Sequence, residues 1–262
     1  MVDNEGMMVL DKKYVYDGRA WAKNEMITLL ANQQKRPLPT RAVTTLQMVE
    51  GDYILDVGCG IGYFANVIAK KAKKVVAVDI LESSIEIAQD MYGSDNINFL
   101  AGDIFALNFP EKSFDCILFL ETIEHVDNPG KYLQEFHRLL KPNGYMILST
   151  PNAHSYVSIL ENLLFFNQKY AKKRAQRINN EQHNTGTQND HIYNWDFTTL
   201  YRLLNRNGFI YVDHAFAGYW PVTVPSKWLT ISFPFWTKNE SWLMSLFPPF
   251  RQSLVFKVRK RE

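Results

Sequence analysis

The run Ile54-Leu55-Asp56-Val57-Gly58-Cys59-Gly60-Ile61-Gly62-Tyr63-Phe64 restricts this chain more than any other stretch. Apolar residues read as a short strand, glycines follow at alternate positions, and a helical pattern resumes at Tyr63. Glycine there permits a tight turn and lets a ligand come up to the backbone. The helix N-terminus behind it offers free N–H groups and positive partial charge. Alone, such a loop reads equally as a dinucleotide site or a plain turn.

Two features narrow it. The loop is G-x-G-x-G, and Tyr63 stands where a G-x-G-x-x-G fingerprint needs its third glycine for close helix–strand packing. Asp79 ends the next strand, where a carboxylate can accept from both hydroxyls of an unphosphorylated ribose, whether of NAD or of S-adenosylmethionine (SAM). A third signal is Gly102-Asp103-Ile104 after the third strand. Asp103 is placed to accept from an adenine amino group while the Ile104 N–H donates to the ring. Taken alone, Asp103 reads better as a turn or cap aspartate.

Around this loop the pattern alternates. Strands are expected at Tyr53–Val57, Val75–Asp79, Ile97–Leu100, Phe114–Leu120 and Tyr145–Ser149. Helices are expected at Tyr63–Lys71, Ser83–Tyr92 (with a serine cap) and Gly130–Leu140, the last ended by Lys141-Pro142-Asn143-Gly144. Such alternation means parallel βαβ units and an α/β fold with a covered sheet. The rhythm breaks after Pro151 and resumes with Asp196 capping a helix over Phe197–Asn207. Strands follow at Phe209–Phe216 and Ser253–Val258. Residues 1–50 read as a mostly helical cap segment, with helices over Trp21–Asn32 and Thr40–Val49. Residues 51–262 read as one domain with insertions at 153–190 and 217–250.

With 46% hydrophobic and 21% charged residues and a formal charge of +2, the chain is ordinary globular material. That balance does not imply a nucleic-acid partner. Cys59 and Cys116 show no sign of a bridge, the first thirty residues have no signal-peptide core, and no uninterrupted apolar run is long enough to span a bilayer. A cytoplasmic location is expected, with contact at a membrane surface left open.

The motifs LDVGCGIGYF (55–64), VVAVDI (75–80), AGDIFALNFPEKSFDCILFLETIEHV (101–126) and RLLKPNGYMILSTPN (138–152) closely resemble those of class I SAM-dependent methyltransferases. The similar members are the small-molecule type, like ubiquinone-pathway and sugar or lipid O-methyltransferases. The resemblance covers 52–152 firmly and 190–216 loosely. It implies a Rossmann-like, seven-stranded, mostly parallel sheet with helices on both faces and a C-terminal antiparallel hairpin. Position by position, it implies that Asp56 and the loop residues Gly58, Cys59, Gly60 and Gly62 hold the methionine end of SAM. Asp79, with Ile80 beside it, would hold the ribose, and Asp103 and Ile104 the adenine. Leu120 and Glu121 would line the sulfonium side.

Methyl transfer from a sulfonium is an in-line displacement, so a protein mainly supplies alignment, plus a base where the acceptor must lose a proton. His125, just beyond the fourth strand, is a candidate base or substrate ligand, and His191 a second. For both, a packing role is the competing reading. The histidines lack metal-ligand spacing, so no catalytic metal is expected. The segment Glu121-Thr122-Ile123-Glu124 departs from the [DN]-P-P-[YF] motif of enzymes that methylate base amino groups, which disfavours a nucleobase acceptor.

The insertions carry Trp220, Trp228, Trp236 and Trp242, and a basic stretch of Lys169, Lys172, Lys173, Arg174 and Arg177. An aromatic lid or dimer surface is preferred over a membrane contact. Either suits an apolar or amphipathic acceptor. Three functions compete: an enzyme methylating oxygen of a small or lipid-like metabolite, a non-catalytic SAM-binding partner or sensor, and a nicotinamide-dependent oxidoreductase, which Tyr63 argues against.

Overall fold

A computed structural model describes residues 40–155, 192–217 and 253–262, with a few single positions between 158 and 176. The expected helix over 21–32, the rest of the cap segment before residue 40, His191 and the tryptophan-rich stretch at 220–242 lie outside the described residues. So does most of the basic stretch.

Helix α1 (Thr40–Met48) leads to β1 (Tyr53–Val57), α2 (Tyr63–Ala69), β2 (Lys74–Asp79), α3 (Glu82–Tyr92) and β3 (Ile97–Ala101). There follow β4 (Phe114–Leu120), α4 (Pro129–Leu139), β5 (Leu140–Pro151), α5 (Phe197–Arg206), β6 (Phe209–Ala217) and β7 (Ser253–Lys260). The strands form one seven-stranded sheet in the order β3-β2-β1-β4-β5-β7-β6. The first five are mutually parallel, and β7 runs antiparallel to both β5 and β6. The strand order reverses between β1 and β4, and open α/β sheets bind ligands at the carboxyl ends of the strands flanking such a point.

Strand side chains alternate between two apolar layers. Leu55, Val57, Ile117, Phe119, Met146 and Leu148 pack with Leu133, Phe136 and Leu139 of α4 and Leu200 and Leu204 of α5. Ile54, Cys116, Leu118 and Ile147 face the other way, onto Ala65 and Ile68 of α2, Ile85 and Ala88 of α3 and Leu46 of α1. Being buried on both faces explains why these strands read as near-continuous apolar runs.

At the amino edge, Gly51 adopts φ +104, and a Cβ there would stand 2.7 Å from Asp115 Cβ. This close approach lets Asp115 Oδ2 accept the Tyr53 N–H at 2.9 Å and the Asp52 N–H at 3.2 Å, while Lys141 Nζ donates to Oδ1 at 2.7 Å. β1 and β4 are thereby pinned at one end, leaving the other to carry the loops.

The described helix ends fall within two residues of the expected bounds. Asp196 caps α5 with a full capping box, and Asn128 Oδ1 accepts the Lys131 N–H ahead of α4. Ser83 is not a cap. Helix α3 begins at Glu82 behind Leu81, whose N–H already donates to Asp79 Oδ1 at 2.9 Å. Strand β5 also starts earlier than expected, because Leu140 pairs with Phe114 before an irregularity at the Lys141–Gly144 turn.

Phe136 is wholly buried and meets the Phe119 ring edge-on at 4.9 Å. Phe136→Ala should therefore cost about 3–5 kcal/mol in urea unfolding, since it empties a site walled by both the helix and the sheet.

Candidate functional site

The glycine loop sits at the carboxyl end of β1, with each glycine in a left-handed conformation. Gly58 and Cys59 donate their N–H groups to Val78 O at 2.8 and 3.0 Å, tying the loop to β2. The Gly60 N–H donates to Asp79 Oδ2 at 2.8 Å, and Leu81 N–H takes Oδ1. Asp79 therefore orients the loop as well as facing it, and each of its oxygens keeps a second lone pair for a ligand.

The three glycines do different things. A Cβ on Gly62 would lie 2.6 Å from the Phe99 ring and 3.0 Å from Ala88 Cβ, so this residue lets α2 settle on α3 and β3. One on Gly58 would lie 2.4 Å from Thr122 Oγ1, so the turn after β4 lies directly on the loop. Beyond Gly60 there is nothing within 4 Å. The loop is packed on both flanks and open in the middle.

Asp56 is 2% exposed, and its Oδ2 accepts no hydrogen bond. Burial, then the neighbouring Asp79 charge, pushes its carboxyl up to about 7. Burial and the same two carboxylates push the Cys59 thiol far up, so it stays protonated and unreactive at neutral pH. Ile80, 58% exposed, stands beside Asp79. Asp103 Oδ1 accepts the Phe105 N–H at 3.0 Å, the turn role, with Oδ2 still available, and Ile104 buries its side chain in the core. Leu120 is buried at the end of β4.

Beyond β4, Glu121 adopts φ +50, rare outside glycine. Its N–H donates to Ser149 O at 2.8 Å and its Oε1 accepts from Ser149 Oγ at 2.9 Å. One position along β5, Thr150 Oγ1 donates to Glu124 Oε2 at 3.0 Å. Glu124 Oε1 lies 4.0 Å from Nε2 of His125, whose side chain is 25% exposed. A strap crosses above: Ile192 and Tyr193 donate N–H groups to Glu124 O, and Ala153 N–H donates to Trp195 O. Tyr193 stacks on Trp195 with ring centroids 5.2 Å apart.

The structure thus brings Asp56, Gly58, Cys59, Gly60, Gly62, Asp79, Ile80, Asp103, Ile104, Leu120, Glu121 and His125 to one edge of the sheet. His191 lies outside the described residues. Among those residues, no group of three or more His, Cys, Asp or Glu side chains could hold a metal ion. Sequence reasoning missed Thr122, Ser149, Thr150 and the Tyr193–Trp195 strap. Their partners are distant in sequence, and no local pattern marks them.

A family model described as a methyltransferase domain matches residues 26–214. The chain belongs to the class I SAM-dependent methyltransferase family. Curated relatives include the ubiquinone biosynthesis O-methyltransferases of Rickettsia conorii, 40% identical over 110 residues (41% of this chain, 37% of the relative), and of Coxiella burnetii, 36% identical over 106 residues (40% and 45%). The matched part of the chain spans less than half the length of these relatives. Among solved structures, a Haloferax volcanii methyltransferase in complex with the Trm112 activator shares the fold at TM-score 0.63. It has 18% identity and covers 93% of this chain and 96% of its own. The N-methyltransferase NodS of Bradyrhizobium japonicum, solved with S-adenosylhomocysteine (SAH), does so at TM-score 0.54, with 14% identity and 85% coverage of each chain.

For Asp56 the proton is bound more tightly in the folded protein (about 7) than in the unfolded chain (3.8). Its contribution to stability is therefore present at low pH and declines as pH rises between those values, by at most about 1.4 kcal/mol per pH unit. Urea unfolding of wild type and Asp56→Asn at pH 5, 6, 7 and 8 should show the variant's curve flatter across that window.

Proposed function

We propose that this protein transfers a methyl group from SAM to an oxygen of a small or lipid-like acceptor. The observation that carries the reading is the loop itself. It is packed on both flanks, has open space over Gly60, and is bordered by Asp79 and by a buried, unpartnered Asp56 oxygen. These features fit an adenosyl cofactor carrying cationic groups. The loop glycines and Asp56 would hold its methionine end, Asp79 and Ile80 the ribose, Asp103 and Ile104 the adenine, and Leu120 and Glu121 the sulfonium side.

When bound, SAM supplies an electrophilic methyl on a leaving group that is already activated. The remaining tasks fall to the chain: excluding water, aligning the acceptor and receiving a proton where one is lost. His125 stands at the right edge of the sheet for that last task, with the Glu124 carboxylate beside its Nε2. His191 enters the chain one residue before the strap that binds Glu124 O, and is the second candidate. Tyr193 and Trp195 offer an aromatic wall on the acceptor side. The relatives named as ubiquinone biosynthesis O-methyltransferases favour oxygen as the atom methylated. The aromatic and basic insertions in the sequence suit an apolar or amphipathic acceptor. Among the described residues no helix is long and apolar enough to cross a membrane.

Asp79→Ala should weaken SAM binding by about tenfold or more in calorimetry, since it removes a charge-assisted acceptor and frees the loop together. Labelled SAM incubated with cell extract and wild-type protein should yield methylated product. Intact SAM binding with no transferred label would instead support a non-catalytic binding protein.

A further inference from the structure

Ser149 and Glu121 together show two features that the sheet does not require. The β4–β5 ladder already runs through Leu120 paired with Ser149, so pairing alone needs no hydroxyl there. A buried hydroxyl is unfavourable unless it is bonded, and a left-handed glutamate is unfavourable wherever a glycine would serve. Here each feature accounts for the other. Ser149 is wholly buried and grips Glu121 at both ends, its carbonyl on the backbone N–H and its Oγ on the carboxylate. The next residue, Thr122, rests on Gly58, so the turn that carries Glu121 lies against the glycine loop, and Glu121 itself is half-buried. Ser149 also shares the sheet face of Ile147, the layer that faces α2 behind the loop.

We propose that Ser149 is a positioning residue that fixes the Glu121 carboxylate toward the cofactor's sulfonium, so that the site distinguishes the charged methyl donor from its neutral thioether product. This rests on the cofactor reading given above. A carboxylate held at short range favours a ligand with positive charge at that point, and the preference weakens if the carboxylate is neutralised or left to wander. Transfer of the methyl removes the sulfonium charge, so the same contact holds the donor and loosens its product.

Isothermal calorimetry on the full chain, with SAM and with SAH, tests this in wild type, Ser149→Ala and Glu121→Gln. Both variants should lower the ratio of SAM to SAH affinity by about fivefold or more, chiefly through weaker SAM binding. Equal weakening of both ligands, or no change in either, overturns the positioning role. Wild-type protein that binds neither ligand overturns the cofactor assignment instead, so the two failures are distinct. Thermal melts establish that each variant is folded. Glu121→Gln keeps the side-chain shape and a carbonyl for the Ser149 hydroxyl, and it decides the matter if Ser149→Ala does not fold.

Discussion

The grip of Asp79 on the Gly60 N–H organises the site. A five-residue strand cannot by itself dictate the path of the glycine turn that follows it, because glycine loses more conformational freedom on ordering than any other residue. Here the turn is held from the neighbouring strand. Val78 O takes two N–H groups, Asp79 takes a third, and the other Asp79 oxygen starts α3 by accepting the Leu81 N–H. One carboxylate therefore couples the loop above β1 to the helix after β2. Loss of that carboxylate would release the loop and the start of α3 together.

That arrangement has an electrostatic consequence. Asp56 is buried one strand away, and the two influences on its carboxyl, burial and the Asp79 charge, both disfavour its ionised form. At the opposite edge of the sheet, acids are compensated: Asp115 by Lys141 at 2.7 Å, Asp52 by Lys73 at 2.6 Å and Glu50 by Lys257 at 3.1 Å. The amino edge is thus built as a set of clasps that hold strands in register. The cleft of about 550 Å³ found there, between Val49, Lys71 and Asp115, belongs to those clasps and lies far from the glycine loop. Open space over a loop and an unpartnered buried oxygen are better guides to a ligand site than the size of a hollow.

Much of this was legible in the sequence, and what was missed has a common cause. The bounds of β1 and β4 follow directly from their apolar runs, because both faces of the sheet are covered and solvent imposes no alternation. Asp196 announced α5 through an acid three residues before Thr199, a local signal that the capping box realises. Ser83 misled because cap residues are recognised by type, whereas the start of α3 is set by Asp79, a residue on the preceding strand. The Lys141–Gly144 turn looked like a helix stop followed by a gap, yet pairing of Leu140 with Phe114 draws that residue into the sheet. Ser149 read only as the last residue of a strand, and Thr150 lay just beyond it. Their hydroxyl partners, Glu121 and Glu124, come from the turn after a different strand, and no window along the chain contains both. The glycines were visible, but their division of labour was not. That Gly58 and Gly62 are packed while Gly60 is open depends on Thr122, Phe99 and Ala88, which only the fold brings near.

The two hydroxyls at the end of β5 explain how a largely apolar sheet ends in an ordered polar site. Adjacent residues on a strand point to opposite faces, so Ser149 and Thr150 cannot serve one another. Each instead reaches a glutamate of the turn after β4, where Glu121 and Glu124 lie three residues apart. The turn is pinned on both sides of the sheet plane, with Thr122 wedged on Gly58 between them. A turn held at three points has little freedom to relax, and the left-handed backbone at Glu121 is tolerated because its surroundings over-determine it. The same rigidity fixes His125, which follows directly on Glu124 and whose N–H donates to Thr122 O at 3.0 Å. Glu121 and His125 thus hang from one short segment, and whatever shifts the glutamate also shifts the histidine.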